Sequence, residues 1–164
     1  MQVETTTEHQ WLAQHLIGEW TFESRVMTEA GKLSDERYHG NESVRALGKP
    51  WVLCEGQGDM PGGGIGHMLM TLGYDATTHR YVGSWIGSMM THMWCYDGEL
   101  DSARRVLTLS SVGPDFSTPG KTRNYRDVIE IHSSDYRTLR SFMQTDEGNW
   151  QQLMEADYHR ARPE

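Results

Sequence analysis

The spacing of hydrophobic and polar positions changes period once along this chain. In "TTTEHQWLAQHLIG" the apolar residues recur at helical intervals, so that Trp11, Leu12 and Leu16, with His15, share one face. Thr5 and Glu8 stand in capping-box relation, and Gly18 supplies a stop. The pattern predicts one short amphipathic helix over about residues 7–17. Beyond Gly18 the period is two and stays two. The segments beginning "EWTFESRVM", "ERYHGNESVRAL", "WVLCEGQGD", "HMLMTLGYD", "RYVGSWIGSM", "THMWCYDGEL", "RVLTLSSV", "RNYRDVIEIH", "YRTLRSFMQT" and "WQQLMEADYHR" read as strands. Turn-forming stretches such as "TEAGKLSD", "MPGGGIG", "DSAR" and "DEGN" separate them. This predicts about ten short strands between about residues 19 and 160.

No helix of crossover length lies between the strands, which excludes a parallel sheet. Consecutive hairpin-linked strands leave two open edges, and rolling the sheet into a barrel removes both. There is no internal repeat and no linker-like tract, so one domain over residues 1–164 is expected. The expected class is all-β: a single antiparallel up-and-down barrel.

Two stretches sharpen this. "LIGEW", Leu16 to Trp20, sets Gly-x-Trp at the start of the first strand, directly after the helix. That resembles the opening of calycins, the lipocalin and fatty-acid-binding barrels. The resemblance implies that Trp20 plugs one end of the barrel, with the helix closing that end. "GYDATTHRYVGSWIGSMMTH", "YRDVIE" and "LMEADYHR" resemble the bacterial domain-of-unknown-function family fifteen-seventy-nine, over nearly the whole chain from His9 to Arg160. Many members of that family read Trp-x-Asp-Ser where this chain has Trp85-Ile86-Gly87-Ser88, so no acid–base role falls to position 87. The family carries no agreed activity, and its resemblance speaks to fold.

Strand alternation sorts the wall residues. In "SMMTHMWCYDG", Met90, His92, Trp94 and Tyr96 share a face against Met89, Thr91, Met93 and Cys95. Both faces are largely apolar, so parity leaves open which one points inward. Tyr81, Gly83, Trp85 and Gly87 alternate with Val82, Ser84 and Ile86, and Gly beside Trp reads as room for a ring or a ligand. Met68, Met70 and Leu72 oppose His67, Leu69 and Thr71. The walls carry Met, Trp and Tyr where a packed core favours Leu, Ile and Val. Met adapts its shape and the rings offer flat area with one polar tip, a composition that suits a ligand cavity. The competing reading is a solid barrel core filled with aromatics.

Net charge is −8, which repels phosphate backbones and argues against nucleic acid as a partner. The short charged runs "SARR" and "HRAR" read as solvated surface. No apolar run approaches bilayer length, so no membrane span is expected, and with no basic-then-apolar start a cytoplasmic location is the default. Cys54 and Cys95 are the only cysteines and form no C-x-x-C, which excludes zinc ribbons and dithiol redox sites.

Residue type and spacing bear on four chemistries. A soft metal on Met89, Met90, His92, Met93 and Cys95 fails because residues two apart on a strand splay by roughly 6–7 Å and His92 and Cys95 face opposite ways. Haem would need His67, His92, His132 or His159 as its ligand, and nothing in the sequence chooses among them. Arg126 and Glu155 are expected on neighbouring strands as an inward ion pair, fixing register or anchoring a polar group of a ligand, with Glu55 a further inward carboxylate. Nucleophilic hydrolysis lacks a G-x-S-x-G elbow. "PGGGIG" and "STPGKT" lack the helix and glycine positions of phosphate loops and read as mobile loops, the first a flap at the barrel mouth.

The expected function is binding of a small apolar or aromatic molecule inside the barrel. Met70, Trp85, Met90, His92, Trp94 and Tyr96 would supply the wall, and Arg126 with Glu155 the polar contacts. No cofactor or metal is expected, haem being the nearest exception; a homodimer is an option without a motif. The alternatives are a barrel enzyme acting through Arg126, Glu155 or His92, and an interaction domain with a filled core.

Overall fold

The computed structural model describes residues 3–161, so the final arginine of "HRAR" and the other residues at 1, 2 and 162–164 lie outside the described residues. One helix, α1 (Thr7–Leu16), precedes ten strands. These are β1 (Gly18–Val26), β2 (Tyr38–Leu47), β3 (Trp51–Asp59), β4 (Ile65–Asp75), β5 (Arg80–Gly87), β6 (Trp94–Leu100), β7 (Val106–Pro114), β8 (Thr122–Ser133), β9 (Tyr136–Gln144) and β10 (Trp150–Arg160). Each strand pairs antiparallel with its neighbour in sequence, and β1 pairs with β10 to close the barrel. The all-β antiparallel barrel predicted from the alternation is the fold observed.

Two local expectations are corrected. The helix is capped at Thr6, where the backbone N–H donates to His9 Nδ1 at 3.0 Å, rather than by Thr5 with Glu8. Glu8 sits in the first turn, where a carboxylate complements the exposed N–H groups of the helix end. Second, Ser88 to Met93 are a loop and not strand. The β5–β6 ladder ends at Trp85 opposite Trp94, and the chain turns through bonds from Ser88 N–H to His67 O (2.8 Å) and Met90 N–H to Gly87 O (3.3 Å). With apolar side chains on both parities, the alternation there carried no information on where pairing stops.

Register fixes which residues face in. Trp20, Phe22, Ser24 and Val26 of β1 lie level with Arg160, Tyr158, Ala156 and Met154 of β10. The inner set continues through Glu42, Cys54, Met70, Trp85, Trp94 and Tyr96, then Asp127, Leu139 and Ser141. Glycines on this face make space for rings. A Cβ on Gly40 would stand 2.2 Å from Phe22, on Gly87 2.5 Å from Trp85, and on Gly113 2.2 Å from Trp94. The glycines beside tryptophans therefore let the wall rings lie along the sheet.

One end of the barrel is sealed. Trp20 is 1% exposed and its Nε1–H donates to Leu16 O at 2.9 Å, tying the plug to the last turn of α1, whose Leu12 and Leu16 are equally buried. Two guanidiniums face the indole: Arg160 at 4.4 Å and Arg137 at 4.6 Å from its centroid. Arg160 also donates to Ile17 O and Ser134 O, each at 2.6 Å, so the last strand clamps the end of the helix. Gly18 suits this clamp because its φ of +138° is a backbone conformation that favours glycine, and its missing Cβ leaves room for Arg160 Nη1. The loops at residues 27–37, 60–64, 88–93, 115–121 and 145–149 gather at the opposite end.

Candidate functional site

Between the plug and the loops lies a cavity of about 340 Å³, at the small end of the range for ligand pockets. Its floor is Leu16, Glu42, Arg137 and Tyr158. Its sides carry Phe22, Cys54, Met68, Met70, Trp85 and Tyr96, and its rim carries Met60, Pro61, Met90, Phe116 and Leu153. Trp94 stands near the rim with its Nε1–H directed at Met90 Sδ (3.1 Å) and its ring edge-on to Tyr125, centroids 4.8 Å apart. Met60 and Pro61 belong to the "MPGGGIG" loop, which thus borders the mouth. The 115–121 loop is anchored beside it: Asp115 accepts from Ser117 and from Arg123 Nε (2.9 Å), which draws its carboxyl down to about 2.

Five of the eight residues expected at a site line this cavity: Met70, Trp85, Met90, Trp94 and Tyr96. The other three do not. His92 packs edge-on against Trp94 outside the cavity, centroids 4.7 Å apart, with Nε2 3.3 Å from Val112 O. Arg126 is exposed and lies over the Trp150 ring at 4.0 Å. Glu155 is on the outer face, bonded by Arg140 (2.7 Å) and near Arg25 (3.6 Å). Arg126 and Glu155 each sit one residue out of phase with the inner set, and one residue reverses a strand side chain. Glu55 is likewise outward, paired with Arg45 at 2.8 Å. None of the four candidate histidines, His67, His92, His132 and His159, lines the cavity, so none offers a haem ligand to it. Among the described residues no group of three or more His, Cys, Asp or Glu could hold a metal ion.

The polar groups that do face inward are others. On the floor, Arg137 donates to Glu42 and its guanidinium lies 4.1 Å from the Tyr158 ring. Higher up, Asp127 accepts from Ser141 Oγ (2.6 Å) and from the Tyr96 hydroxyl. Burial pushes the Asp127 carboxyl above its ordinary value of 3.8, and the two hydroxyl bonds offset only part of that. Burial, then the Asp127 charge, pushes the Tyr96 phenol up as well. One signal for Asp127 was present: on β8, Tyr125, Ile129 and Ile131 share its parity, while Arg126, Glu130 and His132 share the other.

A raised carboxyl makes stability pH-dependent with a definite sign. The folded barrel holds the Asp127 proton to higher pH than the unfolded chain does. The stability from this group is full below 3.8 and lost as pH rises through the raised folded value. Asp127→Asn is therefore expected to be more stable than the parent at about pH 7, with the difference shrinking toward about pH 4. Thermal melts at the two pH values check this; a constant difference would refute it.

The profile of the family of proteins of unknown function DUF1579 matches residues 4–160. The chain belongs to that family. A comparison with curated protein sequences found no match. Among solved structures, this DUF1579 barrel is similar to an S-type phycobiliprotein lyase, CPES, from Guillardia theta. That similarity has a TM-score of 0.58 and 12% identity, covering 98% of this chain and 96% of the other. A de novo designed fluorescence-activating β-barrel aligns at TM-score 0.49 and 12% identity, over 92% and 97% of the two chains. At these identities the likeness is one of fold.

Proposed function

We propose that this DUF1579 barrel is a small-molecule binding protein that holds an apolar or aromatic ligand in its interior. The observation that carries the reading is the cavity itself: about 340 Å³, sealed by the Trp20 plug at one end, rimmed by loops at the other, and walled by methionine and aromatic side chains. An apolar molecule entering it leaves water for a surface already shaped by rings and flexible thioethers. Met70, Trp85, Met90, Trp94 and Tyr96 form the contact surface in this proposal. The phycobiliprotein lyase of similar fold is compatible with such a use of the barrel, although it lends no ligand. Both cysteines are free, Cys54 on the inner wall and Cys95 outside, which suits a reducing cytoplasm as the place of action.

The test is to fill the space. Ala156 is 1% exposed, small and on the cavity wall. The parent is expected to bind neutral aromatic dyes with fluorescence enhancement, and Ala156→Phe to reduce that binding by about tenfold or more through lost volume. A preserved near-ultraviolet circular dichroism spectrum would show the barrel intact. A parent that takes up no dye, or a filled variant that binds as well as the parent, would overturn the reading.

A further inference from the structure

Which molecules this cavity accepts can be read from the charges on its wall. The carboxyl and guanidinium side chains facing the space are Glu42, Asp127 and Arg137, with Asp59 at the mouth. Arg137 is the only cation among them, and its charge is already matched by Glu42. Its guanidinium bonds Glu42 and lies against the Trp20 and Tyr158 rings, and its Nε–H is buried without a hydrogen-bond partner. At the rim, Arg123 is held by Asp115 and Asp146, each at 2.9 Å. Arg137 and Glu42 neutralise each other, so among the described residues an entering anion meets the Asp127 carboxylate with no free counter-charge beside it, in surroundings too apolar to screen repulsion.

Asp127 is the complementary feature. Each of its oxygens accepts one hydroxyl bond, from Ser141 to Oδ1 and from Tyr96 to Oδ2. A carboxylate has about four acceptor sites, so acceptor capacity remains on a group that fronts the cavity. Around it the wall is apolar or hydroxyl-bearing, with Ser111, Ile129 and Leu139 as neighbours in the lining. A ligand N–H or O–H placed there would satisfy a buried anion that the protein leaves partly unsatisfied.

We infer that the ligand of this barrel is a neutral or cationic aromatic molecule presenting an N–H donor to Asp127, and that the cavity rejects carboxylate-bearing ligands of the same size. This rests on the small-molecule reading above and adds the class of molecule. Donor recognition supplies orientation: the ring system lies among Met70, Trp85 and Trp94 while its polar edge turns to β8.

Three dyes of one shape test it: 1-aminoanthracene, 1-methylanthracene and anthracene-1-carboxylate, titrated by fluorescence into the full chain at neutral pH. The expected order is amine tightest, methyl weaker by about tenfold, and carboxylate weakest, since a hydrogen bond to a charged acceptor is the stronger kind. Asp127→Leu should bring the amine and methyl affinities to within about twofold of each other. Asp127→Asn should narrow the gap between carboxylate and methyl by removing the repelling charge. If the methyl dye binds but the three affinities are equal, or the carboxylate is tightest, the donor inference is overturned and the cavity reading stands. If none of the three binds, the cavity reading falls and the inference with it. The parent series decides the matter even where a substitution prevents folding.

Discussion

Arg137→Leu is expected to destabilise the barrel by about 3–5 kcal/mol, because it leaves the Glu42 carboxylate buried without its partner. Both side chains are largely enclosed, at 4% and 13% exposed, and among the described residues no other cation lines the cavity. The indole of Trp20 and the phenol ring of Tyr158 lose the guanidinium that lies against them. The loss has a signature that a generic packing defect lacks. It should be largely relieved in the double variant Glu42→Leu with Arg137→Leu, because replacing both members of a buried ion pair by apolar groups is often neutral. Urea denaturation of the single and double variants measures it. A single variant that loses under about 1 kcal/mol, or a double variant worse than the single, would contradict this account.

Trp20→Ala should weaken the fold comparably, by about 3–5 kcal/mol, through a cavity at the sealed end. The indole fills the space beneath Leu12 and Leu16, and its N–H satisfies the Leu16 carbonyl at the end of α1. Removing it also strips the aromatic face from two guanidiniums at once. Trp20→Phe should recover part of the stability, since the apolar volume returns without the hydrogen bond. Equilibrium unfolding gives the magnitude. In a two-state unfolding domain the helix should not melt separately, so loss of α1 signal ahead of the strands in Trp20→Ala would show that the plug serves the helix alone.

Much of the barrel was readable because its signals are local. The switch of period at Gly18, the turn residues and the Gly-x-Trp at Gly18–Trp20 each name a structural event within a few positions. The candidate site was less readable, because it depends on strand phase. On β8 and β10 the apolar sets Tyr125, Ile129, Ile131 and Met154, Ala156, Tyr158 mark the inner face, and Asp127 shares that phase. Taking the more conspicuous charges, Arg126 and Glu155, as a buried pair put both one residue out. Glu42 carried the same kind of clue, since Tyr38, Gly40, Val44 and Ala46 share its phase on β2 and His39, Asn41, Ser43 and Arg45 take the other. Arg137 gave none, because β9 mixes polar and apolar residues on both phases, and only the three-dimensional meeting of β2 with β9 across the floor shows that the two charges are partners. The 88–93 loop was hidden for the opposite reason, since apolar residues on both phases look like an uninterrupted strand.

The pairing of β1 with β10 has a bearing on how the molecule is made. Every other ladder joins strands adjacent in sequence and can zip as soon as each hairpin leaves the ribosome. The seam cannot. Trp20 is synthesised early, yet Arg160, the cation that stacks on it and holds the end of α1, comes about 140 residues later, the kind of distant partnership that delays folding. Until then the nascent sheet exposes two unpaired edges and a lining of methionine and tryptophan, so this is the stage at which the chain is most open to aggregation and in greatest need of a chaperone.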